Sequence, residues 1–433
     1  MEAFKIKNGL SAKRYLGSTT TLSGSTIDLS LGSMFSTTLS SDPAYTFTNP
    51  PASGNAQAFS VEVTGGTTTF TQDSFATTLY TGNAGTQTIT NNLDLSTDGG
   101  MIWFKSRTST YNHVIFDTER WTSSDGNGLF PNATNAECSI NELTSFNTDG
   151  FGVTGSGYIN DTNNMVAWSF KKQAKFFDVV TYTGNFTAGK TVSHNLGSVP
   201  GMIIIKDTSN TRNWIVYHRS IGEGKFLKLN ATDAEASNTY NFNNTAPSST
   251  QFTLGESTNT NTNGASYVAY LFAHDTASDS RIKCGSYTGN GSTTGDFEDL
   301  GWQPQWIMVK VSSSTDGWIL LDSVRGVTGG NDPRLEANTS GSEANGQIME
   351  FSSTGFTPLT ADGKINGSGK TYIYMAIRGD AATDSAITWP SSVKWPSGVA
   401  PTTPAPGTKD LFTFLTTDGG TTYYGKKAAE GLA

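Results

Sequence analysis

The chain has 433 residues, 35% hydrophobic and only 15% charged, with a net charge of −9 and a pI near 5.0; its length predicts about three domains at roughly 150 residues each. The acidic balance lacks the electrostatic footprint of a general nucleic-acid binder, and no run of 18 apolar residues reads as a membrane-spanning helix. Ser, Thr, Asn and 47 glycines stand where charge is missing; Thr and the aromatics favour strands, and Asn, Gly and Ser favour turns. No dozen-residue stretch carries apolar positions at helical spacing, so the chain reads as all-β.

Residues 1–75 predict a small N-terminal β module. The opening MEAFKIKNGLSAKRYLG is basic but has no continuous apolar core, unlike a secretory signal, and places Lys5, Lys7, Lys13 and Arg14 on an exposed arm. Thr26–Leu31 (TIDLSL) and Ala58–Thr64 (AFSVEVT) alternate apolar and polar residues as half-buried strands do. Between them, YTFTNPPASG reads as a strand stopped by a proline turn.

From residue 76 the sequence repeats three times, over 76–174, 175–278 and 279–384. The tetrapeptide Tyr-Thr-Gly-Asn begins at Tyr80, Tyr182 and Tyr287, 102 and 105 residues apart. Each copy is followed by an apolar strand ending in lysine: Met101-Ile-Trp-Phe-Lys105, Met202-Ile-Ile-Ile-Lys206 and Trp306-Ile-Met-Val-Lys310. A second apolar strand leads to an arginine: His113-Val-Ile-Phe-Asp then Arg120, Trp214-Ile-Val-Tyr-His then Arg219, and Trp318-Ile-Leu-Leu-Asp then Arg325. Leu-x-x-Asn comes next, then a short strand anchored by Phe151, Phe252 or Phe356, and each unit closes on a long aromatic strand (Met165–Phe170, Tyr267–Phe272, Tyr372–Ile377). A period near 100 is the size of a domain with its own core, not of a solenoid turn. Five or six strands separated by turn residues predict a β-sandwich or jelly roll in each repeat. The uniformly apolar strands should lie centrally, covered on both faces. Beyond them, residues 385–433 read as a Pro-rich spacer with a short C-terminal β tail, its hairpin turning at Asp418-Gly-Gly.

The chemistry-bearing residues do not assemble into a reactive set. G-x-S-x-G, the P-loop and H-E-x-x-H are absent, and four scattered histidines with two cysteines have no zinc-ligand spacing. Cys138 and Cys284 fall at unmatched places in the repeat and are expected as free thiols of a reducing compartment. His218, beside Arg219, occupies the repeat position of Asp117 and Asp322, but one acid/base group is not a site. The recurring arginine is explained by capping a strand end or pairing with a nearby carboxylate. The carboxylate sets Asp117/Glu119 and Asp296/Glu298/Asp299, weighed as a glycosidase pair, do not recur between repeats. No catalytic residue, metal or cofactor is therefore expected. Sugar rings pack on exposed Trp and Tyr; Trp121, Trp302, Trp389 and Trp395 lie near turns and are the candidate glycan or receptor contacts, whereas the other five Trp fall within repeated strands and read as core.

FKIKNGLSAKRYLG, TNPPASGNAQAFSVEVTGG, IWFKSRTSTYNHVIFDTER, FFDVVTYTGNFTAGKTVSHNLGSVPGMIIIKD, ASYVAYLFAHD and LTTDGGTTYYGKKAAEG together resemble the virion structural proteins of marine cyanophages and related marine bacteriophages, tail fibre-like proteins with lectin-like repeats. The second repeat is the nearest copy; the third departs at Ile377-Arg378, where the second has Phe272-Ala273. The resemblance implies a protein of the virion exterior with other tail or capsid proteins and itself as partners; a non-enzymatic role, synthesis in the host bacterial cytoplasm and assembly as a trimer are expected alongside it. The resemblance implies no particular ligand; the leading expectation puts docking to the virion on the N-terminal module with Lys5, Lys7, Lys13 and Arg14, and attachment to a host glycan or receptor on the repeats by analogy with lectin-like sandwiches. The alternatives are a capsid decoration protein on the head exterior and, behind it, a polysaccharide depolymerase. Neither nucleic acid nor membrane insertion is expected.

Overall fold

The computed structural model describes residues 19–22, 25–38, 45–52, 55–64, 73–122, 126–277, 280–379, 387–396, 398–401 and 409–432. The chain is all-β, with no α-helix among the described residues. It divides into two compact units: residues 69–381, and residues 1–68 together with 382–433.

Each repeat contributes one large antiparallel sheet to the first of these units. In the first repeat its order is Phe75–Thr81, Asn164–Lys171, Gly100–Ser106, Val114–Asp117. The second repeats that order with Phe177–Thr183, Ser266–Ala273, Pro200–Asp207 and Ile215–His218, and the third with Ile282–Thr288, Thr371–Arg378, Pro304–Val311 and Trp318–Asp322. The second and third sheets continue into two further short strands. A smaller sheet, built in the first repeat from Leu143–Phe146, Gly150–Val153 and Gln87–Thr90, lies over the large one. Ile89, Phe151 and Val153 of the small sheet share a buried cluster with Ile102, Phe104 and Ala167 of the large sheet, which makes the repeat a sandwich.

Side chains alternate between the faces of a strand, so Trp103, Val166, Trp168 and Phe170 point away from that sandwich. They enter a second cluster shared by all three repeats, which includes Phe177, Tyr270 and Phe272 of the second and Trp306, Met308 and Met375 of the third. Phe170 packs its ring against Phe75, Phe272 and Trp306 at centroid distances of 4.8, 5.6 and 5.9 Å. This explains the uniformly apolar strands: Gly100–Ser106, Pro200–Asp207 and Pro304–Val311 are covered on one face by their own small sheet and on the other by neighbouring repeats. The first and third repeats thus keep sandwich cores of their own, and every large sheet also has a second apolar face buried against the other repeats.

The seams between repeats follow one cyclic rule. A ring N–H at the start of the fourth strand donates to a backbone carbonyl of the preceding repeat: Trp214 Nε1 to Phe130 O at 2.9 Å, and Trp318 Nε1 to Lys228 O at 2.9 Å. His113 Nε2, at the same place in the first repeat, lies 3.1 Å from Glu336 O of the third. A backbone bond marks each seam as well: Glu137 N to Thr208 O (2.9 Å), Glu235 N to Ser312 O (2.7 Å) and Glu343 N to Arg107 O (2.8 Å). The third repeat closes on the first, and the three sandwiches form a ring within one chain.

The ends of the chain build the other unit jointly. Gln57–Thr64 pairs with Met34–Thr38 on one side and with Lys409–Thr416 on the other, and Lys409–Thr416 pairs with Tyr423–Leu432. The C-terminal β segment is therefore not a tail beyond a spacer but part of the N-terminal module's sheet. Phe59, Val61 and Val63 bury one face of the first strand and Phe412 and Phe414 one face of the second; neither stripe closes a core alone. Lys5, Lys7, Lys13 and Arg14 lie outside the described residues, as does most of the Pro-rich run.

The seam donors generate a direct test. Trp214→Phe keeps an aromatic ring but removes the indole N–H that Phe130 O and Ala133 O accept, and leaves a void where the larger ring was buried. Denaturant unfolding should register the loss of the bond, about 1 kcal/mol, together with a cavity cost, and Trp318→Phe should lose stability in the same way.

Candidate functional site

Most residues singled out by repetition serve the interior. Lys105, Lys206 and Lys310 are wholly buried, each with its ammonium among backbone carbonyls. Lys105 Nζ donates to Ser106 O (2.8 Å) and Ser109 O (3.0 Å), Lys206 Nζ to Asp207 O (2.6 Å) and Lys310 Nζ to Val311 O (2.7 Å). Lys206 and Lys310 also reach across a seam, to Thr134 O and Thr232 O. Burial pulls all three ammonium groups down to about 8.

The Tyr-Thr-Gly-Asn motif is a clamp. Tyr80, Tyr182 and Tyr287 donate their hydroxyls to Ile159 O, Thr260 O and Ile365 O. A Cβ on Gly82, Gly184 or Gly289 would collide with the carbonyl of Asp161, Thr262 or Gly367, so only glycine permits that approach. Three buried asparagines, Asn160, Asn261 and Asn366, complete the clamp by accepting from the backbone N–H of Asn83, Asn185 and Asn290 at 3.4, 2.9 and 3.0 Å. They recur at 101 and 105 residues, a spacing legible in the sequence but hidden by unlike neighbours. Phe151, Phe252 and Phe356 are buried in the sandwich cores.

The arginines require a correction. Arg120 and Arg325 pair with the aspartate three residues earlier, Asp117 and Asp322, and continue to Glu137 and Glu343. Arg219 follows its strand by one residue, is exposed, and is not their counterpart. Three residues beyond His218 stands Ile221, packed against the shared core. Where histidine replaces aspartate, the arginine that would neutralise it is replaced as well.

Among the sequence-selected tryptophans, Trp302 and Trp389 are buried and Trp121 and Trp395 partly buried, all against apolar clusters. Trp302 donates to Ser280 Oγ at 3.0 Å, and Trp389 stacks on Tyr45 at 5.3 Å. A position near a turn did not translate into exposure, because these rings fill the ends of small cores. The carboxylates also separate: Asp117 accepts from Arg120 and Tyr270, Glu119 pairs with Lys172, and Asp296 accepts from Asn290. Glu298, held up at about 7 by burial and then by the charge of Asp296, belongs to the small sheet of the third repeat. Among the described residues no group of three or more His, Cys, Asp or Glu is placed to hold a metal ion.

The seam between the first and second repeats opens into a cleft of about 590 Å³. Arg120, Asn127 and Glu137 line one side, and Thr183, Thr208, Ser209 and Tyr182 the other, with Thr181, Ser266 and Tyr267 beside them. Arg120 is fully engaged: Nε donates to Asp117, Nη1 to Asn127 O and Glu137, and Nη2 to Tyr270 OH. Tyr182 is fixed by its hydroxyl and stacks on Tyr267 with ring centroids 5.0 Å apart and planes 8° from parallel.

A closed ring of three β-sandwiches, with a polar cleft at its first seam, is the class these features define. The chain belongs to the family described as Domain of unknown function (DUF7483), whose match runs over residues 71–380 and takes in all three repeats. No curated protein matches the chain.

The seams predict stability that depends on pH in two windows. Trp103 Nε1 donates to His113 Nδ1 at 2.9 Å, and the Ser220 N–H donates to His218 Nδ1 at 3.2 Å. Both rings therefore carry their proton on Nε2, aimed at Glu336 O and at Tyr374 O. Burial holds His113 well below 6.5 and His218 at about 4. Below pH 6.5 the unfolded chain takes up protons that the folded chain refuses, so stability should fall as pH drops from 6.5 toward 4; His113→Gln should flatten the slope of Tm against pH.

The lysines act in the opposite range. Between pH 8 and 10 the unfolded chain retains protons the folded chain has released, so stability should rise with pH there, and Lys310→Met should reduce the rise. Above pH 10 the buried tyrosines, pushed up by desolvation, reverse it.

Proposed function

We propose that the protein is a non-enzymatic structural protein of a bacteriophage virion, a tail fibre or appendage that attaches to the host surface. The observation that carries this reading is the use to which the repeat is put. Its recurring lysines, tyrosines, glycines and asparagines hold strands and seams together, which is what a durable scaffold requires. The resemblance of FKIKNGLSAKRYLG and of the repeat segments to marine-phage fibre proteins supports the same reading. Attachment by several weak contacts, added over repeats and over copies of the chain, needs no tight site in any one of them.

Immunogold labelling of intact virions with an antibody against this chain should mark the tail or its appendages. Uniform labelling of the capsid would replace the fibre reading with head decoration. Purified chain should bind host cells and leave their surface polysaccharide uncut; release of reducing sugar would restore the depolymerase.

A further inference from the structure

The three seams are equivalent in backbone but not in what lies over them. Each carries a glutamate, Glu137, Glu235 or Glu343, fixed by the same backbone bond to the next repeat. At the third seam Arg107 grips Glu343 with two bonds, Nε to Oε2 at 2.9 Å and Nη2 to Oε1 at 2.8 Å, while Arg325 reaches it from within at 3.2 Å. At the second seam Lys225 pairs with Glu235. At the first seam both bridging positions hold short neutral residues. Thr208, whose carbonyl takes the bond that Arg107 O takes at the third seam, stands in place of that arginine. Asn127, paired with Ser139 as Lys225 is paired with Ser237, stands in place of the lysine. Glu137 is held only from below by Arg120, and its side chain is 26% exposed against 12% for Glu343. The cleft occupies the space the bridges fill elsewhere.

From this we infer that the first seam is a binding site for a neutral saccharide, with the Glu137 carboxylate and the Asn127 amide receiving sugar hydroxyls and the fixed Tyr182 ring as the adjoining surface. Three properties of the lining select this class. Its one cation, Arg120, is shared between the carboxylates of Asp117 and Glu137 and has its donors taken by Asp117, Asn127 O, Glu137 and Tyr270, so no free cation awaits a sialate, sulfate or phosphate. Thr181, Thr183, Thr208, Ser209 and Ser266 give the walls hydroxyls that both donate and accept, which suits a polyol and disfavours an apolar ligand. A carboxylate oriented by an internal arginine keeps acceptor sites for vicinal hydroxyls without reorganising. The volume lies within the ~300–1,000 Å³ of small-molecule sites, room for a sugar ring and its neighbour.

The inference rests on the attachment reading for its biological ligand, a host surface glycan, but the chemistry can be tested without it. The full chain is titrated with the methyl glycosides of mannose, glucose, galactose and N-acetylglucosamine, with N-acetylneuraminic acid as the anionic comparison, by calorimetry and ligand-observed NMR. At least one neutral glycoside is expected to bind saturably in preference to the acid. Thr208→Arg, which installs the bridge the third seam already accommodates, should weaken that binding by roughly tenfold or more; Asn127→Lys should do the same through the other bridging position, and Thr208→Ser should retain it. Absence of saturable binding by every neutral glycoside, preference for the acid, or equal binding by folded Thr208→Arg and Asn127→Lys would overturn the site. Glycoside binding by a chain that does not adhere to host cells would keep the cleft and remove the attachment reading. Adhesion that persists in a Thr208→Arg chain unable to bind glycoside would keep attachment and remove the cleft as its receptor site.

Discussion

A ring N–H donated across a seam is the contact on which the arrangement of the repeats depends. Trp214, Trp318 and His113 each begin the fourth strand of a large sheet, and each reaches a carbonyl of the repeat before it. The donors sit at a shared apolar cluster, where a ring N–H without an acceptor would be buried at a cost comparable to the whole contribution of a typical hydrogen bond. Apolar burial brings the three sheets together, but it is non-directional. The ring donors, with the backbone bonds at Glu137, Glu235 and Glu343, fix the register in which the sheets meet. They also explain why His113 must be neutral: only the Nε2–H tautomer can accept from Trp103 and donate to Glu336 together.

Much of this architecture is legible in the sequence. The triplicated strand series, the both-faces burial of the Met101, Met202 and Trp306 strands and the core placement of five tryptophans follow from period and hydrophobicity. What escapes is the partnership between repeats. His113, Trp214 and Trp318 align visibly, yet a strand-initial aromatic looks the same whether it faces its own core or a neighbour's carbonyl. The arginine series is misleading in sequence for a related reason. Arg219 lies near the expected place, and only the pairing geometry shows that three residues past the strand is the position that matters, occupied in the second repeat by Ile221. The lysines at the strand ends read as polar termini, because sequence alone does not show that backbone carbonyls from a later turn and another repeat can satisfy a buried ammonium.

The cleft escapes for a different reason: it is made by what is missing. Thr208 and Asn127 are unremarkable in a chain rich in threonine and asparagine. They gain meaning only beside Arg107 and Lys225, which occupy equivalent places at other seams and pair with the local glutamate. The tryptophans that suggested a sugar platform are absorbed by small cores that need large rings to fill them. Tyr182, a signature residue of the repeat, lines the cleft beside Tyr267.

Carrying all three repeats in one chain has an evolutionary corollary. In a ring of three identical subunits every substitution appears three times, so a change that opens one junction opens all of them and must be tolerated threefold. Here each junction is encoded separately. The second repeat has His218 and Ile221 where the other two have an Asp–Arg ion pair, and the first seam has neither bridge where the second has Lys225 and the third Arg107. Three repeats in one chain are thus released from symmetry, and each seam can differ from the other two.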